Sequence, residues 1–317
     1  MRIVSLLPAA TEWLFAFGAG EEIVGRSHEC DFPAAVQDVP VVTQVAYDAE
    51  GDSAAINDAV QSTLQDGLSL YEVDLDRLRA LDPDLIVTQA QCEVCAVSRS
   101  DLEASLQDWT GQRPEVLSMQ PETLKEVLDT ALRLGKAVDR MKTAMEVIAD
   151  GERRLMELRR QLRLPKTVDP ETLPTMVCIE WMEPLMTAGH WMPDVAEHAG
   201  ARAMLAETGA TSPPVEWTAI READPDLLAV MPCGFSLEET RRDLSSLTQR
   251  EGWAQLTAVR EGRVMLFDGN AYFNRPGPRL YRSIELLASA VAPDRVDLDP
   301  PAEPWERGRL DAESVDR

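Results

Sequence analysis

Short apolar runs open the chain and recur through its first third, at residues 3–7, 85–88 and 115–117, with helix-like spacing between them. That alternation predicts strands and helices in parallel α/β layers. From residue 121 the period changes. Val127, Ala131, Leu134, Val138, Met141, Met145 and Ile148 recur at steps of three or four, and Leu155, Leu158 and Leu162 resume the stripe. This spacing predicts a long helical region. Pro121 and Glu122 suit its start, since proline lacks only an amide that would be unpaired there and the acid favours the positive end of the helix dipole. Pro165, Pro170 and Pro174 stop it. A continuous helix over 136–164 would be about 43 Å long and would run along both halves of the molecule as a stiff spine.

A second α/β segment opens at 176–179 and runs to about residue 292. Residues 73–92, VDLDRLRALDPDLIVTQAQC, lie over residues 215–233, VEWTAIREADPDLLAVMPC, with Asp-Pro-Asp in register and a cysteine just beyond each strand. In each copy a helix ends, Asp-Pro turns the chain and a buried strand follows, so the two halves read as a duplicated lobe. The expected organisation is an N-terminal α/β lobe over 1–120, a helical region over 121–172 that holds the spanning helix, a C-terminal α/β lobe over 173–298 and a polar tail over 299–317. The fold expected is α/β, with two Rossmann-like lobes of mostly parallel sheets bridged by one long α-helix. Two such lobes leave a cleft, and ligands of open α/β sheets sit in the loops at the strand carboxyl ends.

Composition narrows the partners. With 55 acidic and 31 basic residues the net charge is −24, which repels phosphate backbones, so nucleic acid is not an expected partner. At 44% hydrophobic and 27% charged the chain is globular, and no run approaches a membrane span. Pro8 and Glu12 interrupt the opening apolar run, which reads as a buried strand followed by a helix and not as a signal peptide. A cytoplasmic monomer is the expectation, with its five cysteines as thiols.

The unusual residues fall after strands. RSHECDFP packs His28, Glu29, Cys30 and Asp31 into four positions, denser in ligand-capable groups than a polar turn requires. QCEVC sets Cys92 and Cys95 around Glu93; it reads as a redox pair, as half of a zinc site that His28 and Cys30 would complete, or as two thiols packed against neighbouring strands. Cys233, the counterpart of Cys92, has no partner two residues on, which favours one thiol per lobe in a pocket wall. The loop after residue 179 carries Glu180, Trp181, His190 and Trp191, and its two tryptophans suit an aromatic wall. Tyr272, Asn274 and Arg275 offer a ring, an amide and a fixed cation ahead of a rigid Pro-Gly-Pro turn. No Gly-rich phosphate loop, Gly-x-Ser-x-Gly elbow or His-Glu-x-x-His helix occurs, so the chemistry is that of a pocket more than of a catalyst.

The opening RIVSLLPAATEWLFAFGAGEEIVG, the element LRALDPDLIVTQ, the long middle helix and the closing AVREGRVMLFDGNAYFNRPGPRL resemble, over about residues 1–295, the cobalamin and ferric-siderophore periplasmic-binding family. HECDFP, QCEVC, EWMEPLMTAGHW and FNRPGPRL look most like its cobalamin-binding subgroup, which includes members without an export signal. The resemblance implies a shallow interlobe cleft, limited hinge motion, an ABC permease as partner, and a periplasmic location as the alternative to a cytoplasmic one. The leading expectation is a solute-binding protein, not an enzyme, that holds cobalamin, another corrinoid or a related metal chelate between its lobes. Trp181, Trp191 and Tyr272 would line the ring faces, with His28 or His190 as an axial ligand to the metal. The alternative is a cytoplasmic metal- or thiol-dependent enzyme, or a metal carrier, centred on Cys92, His28, Cys30 and Glu93, with His28, Cys30 and Cys92 holding a metal ion.

Overall fold

The computed structural model describes residues 1–47, 50–65, 70–89, 113–296, 298 and 305–307. Its first half runs β1 (Ile3–Ser5), α1 (Pro8–Ala16), β2 (Ile23–Arg26), β3 (Thr43–Val45), α2 (Ser53–Gln65), β4 (Tyr71–Val73), α3 (Leu75–Leu81), β5 (Leu85–Gln89) and β6 (Glu115–Met119). Strands β2-β1-β5-β6 form one sheet, parallel throughout, and β3 pairs antiparallel with β4 beside it. Every residue of β1 and β5 is buried, as befits inner strands covered on both faces.

The helical region follows as α4 (Leu124–Ala137) and α5 (Met141–Leu162). The second half adds β7 (Thr175–Trp181), β8 (Met186–Thr187), α6 (Met192–His198), β9 (Arg202–Ala203), α7 (Trp217–Ala223), β10 (Leu227–Val230), α8 (Leu237–Asp243), β11 (Val264–Phe267) and α9 (Leu280–Val291). Here β11-β10-β7-β9 are parallel, β8 lies antiparallel to β7, and β12 (Trp305–Arg307), within the segment read as a polar tail, lies antiparallel to β11. The α/β architecture with mostly parallel sheets is therefore the one expected.

The duplicated motif is duplicated in its bonds as well as its letters. Asp82 and Asp224 end α3 and α7 in the left-handed region, at φ 42° and 37°, which lets each chain turn into its proline. The second aspartate of each motif then caps the neighbouring strand: Asp84 Oδ2 accepts from the Arg2 amide at 2.7 Å and Asp226 Oδ2 from the Thr175 amide at 2.8 Å.

The spine departs from expectation. It is not one helix over 136–164, because Asp139 takes φ 54° and breaks the chain between α4 and α5. The corner is tight. A Cβ on Gly135 would stand 2.6 Å from that of Ala144, and the Arg140 amide donates to the Gly135 carbonyl at 2.7 Å. Beyond it the 22 residues of α5 span about 33 Å. The inward face of α5 is Ala144, Gly151, Leu155, Leu158 and Leu162, whereas Met141 and Met145, counted into the apolar stripe, are exposed.

One apolar core joins the halves: Trp13 and Leu14 of α1, Leu134 of α4, Leu155 of α5, Val195 of α6 and Ile284 of α9 belong to it. The faces of the sheets away from these helices carry separate clusters, around Val4 and Ile86 in the first and Ile179 and Val230 in the second. Helix α2 crosses between the lobes on that far side. Ile56 packs against both clusters, and the buried Ser53 amide donates to Asp243 Oδ2 of α8 at 3.1 Å.

Candidate functional site

The two parallel sheets meet through the loops at their carboxyl ends. On one flank the loop after β2 touches the loop after β11; on the other the entry to α4 touches α6, where the Leu124 amide donates to Asp194 Oδ2 at 3.0 Å. Between these flanks lie the ends of β5, β7 and β10.

At the end of β2 the backbone amide of His28 donates to Thr43 Oγ1 at 3.0 Å, and the Thr43 hydroxyl donates to Ser27 Oγ at 3.1 Å. His28 Nδ1 lies 2.8 Å from Thr43 Oγ1, the donor depending on the ring tautomer. The other ring nitrogen, Nε2, is buried without a hydrogen-bond partner among the described residues. Glu29 Oε1 lies 4.0 Å from it and accepts from the Tyr71 hydroxyl at 3.2 Å. Burial lowers the His28 pKa, opposed by a hydrogen bond to the Thr43 backbone, and raises that of Glu29 against the pull of Tyr71 and Arg275.

Cys30 does not line a groove. It is 0% exposed, with Sγ 3.1 Å from Thr11 Oγ1, and burial pushes its thiol up to about 12. A thiol so placed is neither nucleophile nor metal ligand. Cys178, inside β7, is likewise pushed to about 12 by burial.

Arg275 is a tie between lobes and not a free cation. Its Nη1 donates to Asp31 Oδ1 at 2.5 Å, while Nη2 donates to Asp31 Oδ2 at 3.1 Å and Asn270 Oδ1 at 2.7 Å. Burial raises the Asp31 carboxyl, but the guanidinium beside it wins and holds the pKa low. Next to this pair the almost wholly buried Glu12 accepts two bonds from Arg279, at 2.9 and 2.5 Å. The Arg279 guanidinium lies 4.2 Å from the ring centre of Phe32 and 5.5 Å from that of Tyr272. Asn274 is similarly committed: its Nδ2 donates to the Met231 and Gly269 carbonyls, each at 3.0 Å, pinning the loop after β11 against the loop after β10.

From β7, Glu180 Oε2 accepts from Ser212 Oγ at 2.7 Å, and burial raises its carboxyl against that bond. Trp181 stands edge-on to Phe235 at 5.4 Å, and the amide of the half-buried Cys233 donates to the Glu180 carbonyl at 3.0 Å. Glu180, Trp181 and Cys233 thus gather at the ends of β7 and β10. Trp191 is core, 9% exposed, with its indole N–H on the Phe273 carbonyl at 3.2 Å. His190 stacks on Trp191 at 5.8 Å, its pKa lowered by burial against the charge of Glu122 across the seam. Cys92, Glu93 and Cys95 lie outside the described residues; among the described residues no three His, Cys, Asp or Glu side chains are grouped to hold a metal ion.

Sequence reasoning missed Tyr71, Thr43, Phe235 and Glu12. Only Glu12 had a signal, as the sole charged residue of an apolar helix.

The model of the periplasmic binding protein family matches residues 3–271. An uncharacterized ABC transporter substrate-binding lipoprotein of Bacillus subtilis (strain 168) is 23% identical over 304 residues, covering 92% of this chain and 80% of the relative. Among solved structures, a periplasmic heme binding protein from Pseudomonas aeruginosa is similar with TM-score 0.68 and 22% identity, over 95% of each chain. The periplasmic vitamin B12 binding protein of Vibrio cholerae matches at TM-score 0.62 and 19% identity, over 93% of this chain and 98% of that one. A possible iron-binding periplasmic protein from Staphylococcus epidermidis matches at 0.65 and 22%, over 92% and 98%. The sheets joined at their carboxyl ends and the match along most of the sequence lead to one conclusion: the chain belongs to the periplasmic binding protein family, a class of solute-binding proteins.

Proposed function

We propose that this protein binds a metal chelate, a corrinoid or a close analogue, between its lobes and delivers it to an ABC permease. The observation that carries the ligand class is His28 Nε2, a buried ring nitrogen without a hydrogen-bond partner among the described residues, at the carboxyl end of β2. A buried ring nitrogen left unpartnered is costly, and in the tautomer with the proton on Nδ1 its lone pair suits a cobalt or iron centre with an open axial position. Trp181 and Tyr272 are the half-buried rings of the loops and strand ends from the second lobe, while Asp31, Asn270 and Arg275 hold the two loops in register. The ABC transporter substrate-binding lipoprotein of Bacillus subtilis supports a permease partner and a place outside the cytoplasm, the alternative given by resemblance, and lends nothing to the cytoplasmic expectation. Limited lobe movement and a ligand seat at His28, Glu29, Glu180, Trp181, His190 and Tyr272 complete the proposal.

The thiol-enzyme alternative loses Cys30, whose thiol stays protonated at neutral pH. Visible absorbance tests the chelate reading directly. Titration with cobinamide and haemin should perturb the spectrum of at least one saturably, and His28→Ala should weaken that binding by about tenfold or more. Failure of both chelates to bind, together with metal-free protein from its own host, would sink it.

A further inference from the structure

Two separate sets of bonds hold the loop after β2. Its backbone curls around Arg26, whose Nη1 donates to the Ser27 and Cys30 carbonyls, each at 3.1 Å, and whose Nε donates to the Val39 carbonyl at 3.2 Å. Its side chains are held from outside, by the ribbon of β3 and β4. Thr43, the buried first residue of β3, places one oxygen, Oγ1, 3.0 Å from the His28 amide nitrogen and 2.8 Å from Nδ1 of the same residue. Ser27 Oγ, 3.1 Å from that oxygen, accepts in turn from the Glu29 amide at 3.3 Å. In β4, Tyr71 stands opposite Val45 of β3; its hydroxyl donates to Glu29 Oε1 at 3.2 Å and its ring lies 5.7 Å from that of His28. The hydrogen bond between the His28 ring and the Thr43 backbone acts to raise the imidazole pKa, which is the sign of a bond that the ring donates.

We propose that Thr43 is the positioning residue of the ligand site: it grips His28 by the backbone amide and by Nδ1 together, with the ring as donor, so that Nε2 is the nitrogen left to a metal centre. This deepens the chelate reading and rests on it. An imidazole that donates from one nitrogen has its tautomer and ring plane set before the ligand arrives, and its other nitrogen becomes the more basic ligand. Loss of such a supporting partner costs about 10- to 100-fold in metal affinity. Arg26 keeps the loop backbone in place without help from Thr43, so removing the hydroxyl frees the ring and leaves the fold.

Two substitutions separate the hydroxyl from the shape of the side chain. Thr43→Val keeps the β-branched outline and loses the hydroxyl; Thr43→Ser keeps the hydroxyl. The first measurement needs no ligand. The chain has three histidines, so imidazole nitrogen-15 NMR at mildly alkaline pH gives few signals, and those missing from His28→Ala belong to His28. Wild type and Thr43→Ser should carry the proton on Nδ1, whereas Thr43→Val should show both tautomers. A proton on Nε2 in the wild type overturns the inference, as does one tautomer common to all three proteins.

The second measurement titrates cobinamide and haemin. Thr43→Val should weaken whichever chelate binds by about tenfold or more and move its visible bands towards those of His28→Ala, while Thr43→Ser stays within about threefold of the wild type. Placed in the His28→Ala background, Thr43→Val should change affinity by less than about twofold, because its effect runs through the imidazole. An undiminished loss in that background makes Thr43 a packing residue and overturns the inference while leaving the chelate reading standing. Failure of both chelates to bind overturns the chelate reading, and the tautomer measurement then decides by itself whether Thr43 holds the ring.

Discussion

Glu12 is the only charged residue of α1, and its carboxylate sits at the centre of the contact between the lobes, taking two bonds from Arg279 with Arg275 3.6 Å away. A buried carboxylate is tolerated when such partners satisfy it. Removing it strands the Arg279 guanidinium and takes a second carboxylate from Arg275, which keeps Asp31, so Glu12→Ala should cost about 3–5 kcal/mol of stability in urea unfolding. A loss below about 1 kcal/mol would show that water reaches the arginines and that the pair behaves as a surface bridge. Cys30 teaches the same lesson in reverse. Its position between two acids in the sequence suggested a ligand, but the direction of its side chain, set by packing against Ser5 and Thr11, made it core.

Elements form from local pattern and are then trimmed by their neighbours. Helix α5 crosses α9 at Gly151, where a Cβ would stand 2.2 Å from the Tyr281 ring. In an exposed helix interior, Gly→Ala gains up to about 1 kcal/mol. Here the sign should reverse: Gly151→Ala must push Tyr281 aside, and we expect a loss of about 1–3 kcal/mol in thermal or denaturant unfolding. A stabilised variant would mean that the crossing is looser than described. The exposed side of the same helix carries Met145 at 59% and Met156 at 62%. Counting residues at steps of three and four through the α4–α5 corner therefore assigned Met145 to the wrong face, because Asp139 resets the phase.

Across the whole molecule the lobes are held at several places. The Asp31–Arg275 pair ties one flank, the Leu124–Asp194 bond the other, α2 reaches over to Asp243 on the side away from the spine, and a single apolar cluster runs through both halves. Opening the lobes as rigid bodies would break these together, and the 22 continuous residues of α5 provide no loop to absorb a large dihedral change. Small-angle scattering curves with and without a bound corrin should therefore nearly coincide. A clear compaction on binding would show that the ties are made only in the closed form.

The chain's own pattern determined the α/β class and the paired Asp-Pro-Asp turns, because these depend on apolar period and on turn chemistry within a few residues: Asp82 and Asp224 each end a helix in the left-handed region that aspartate tolerates. Of the candidate site, the strand ends and the loops after them were legible for the same reason: Glu180 and Trp181 close β7, and Glu29 and Cys233 lie in the loops after β2 and β10. What each side chain does was not legible. Arg275 reads as a free cation until Asp31, 244 residues earlier, is brought to 2.5 Å. His28 is left with Nε2 as its unpartnered nitrogen only because Thr43, from a strand of the neighbouring two-stranded sheet, engages Nδ1. Whether a charge or a lone pair is available to a ligand depends on which distant group reaches it first, and only the tertiary structure, by bringing separate strands to one seam, decides that.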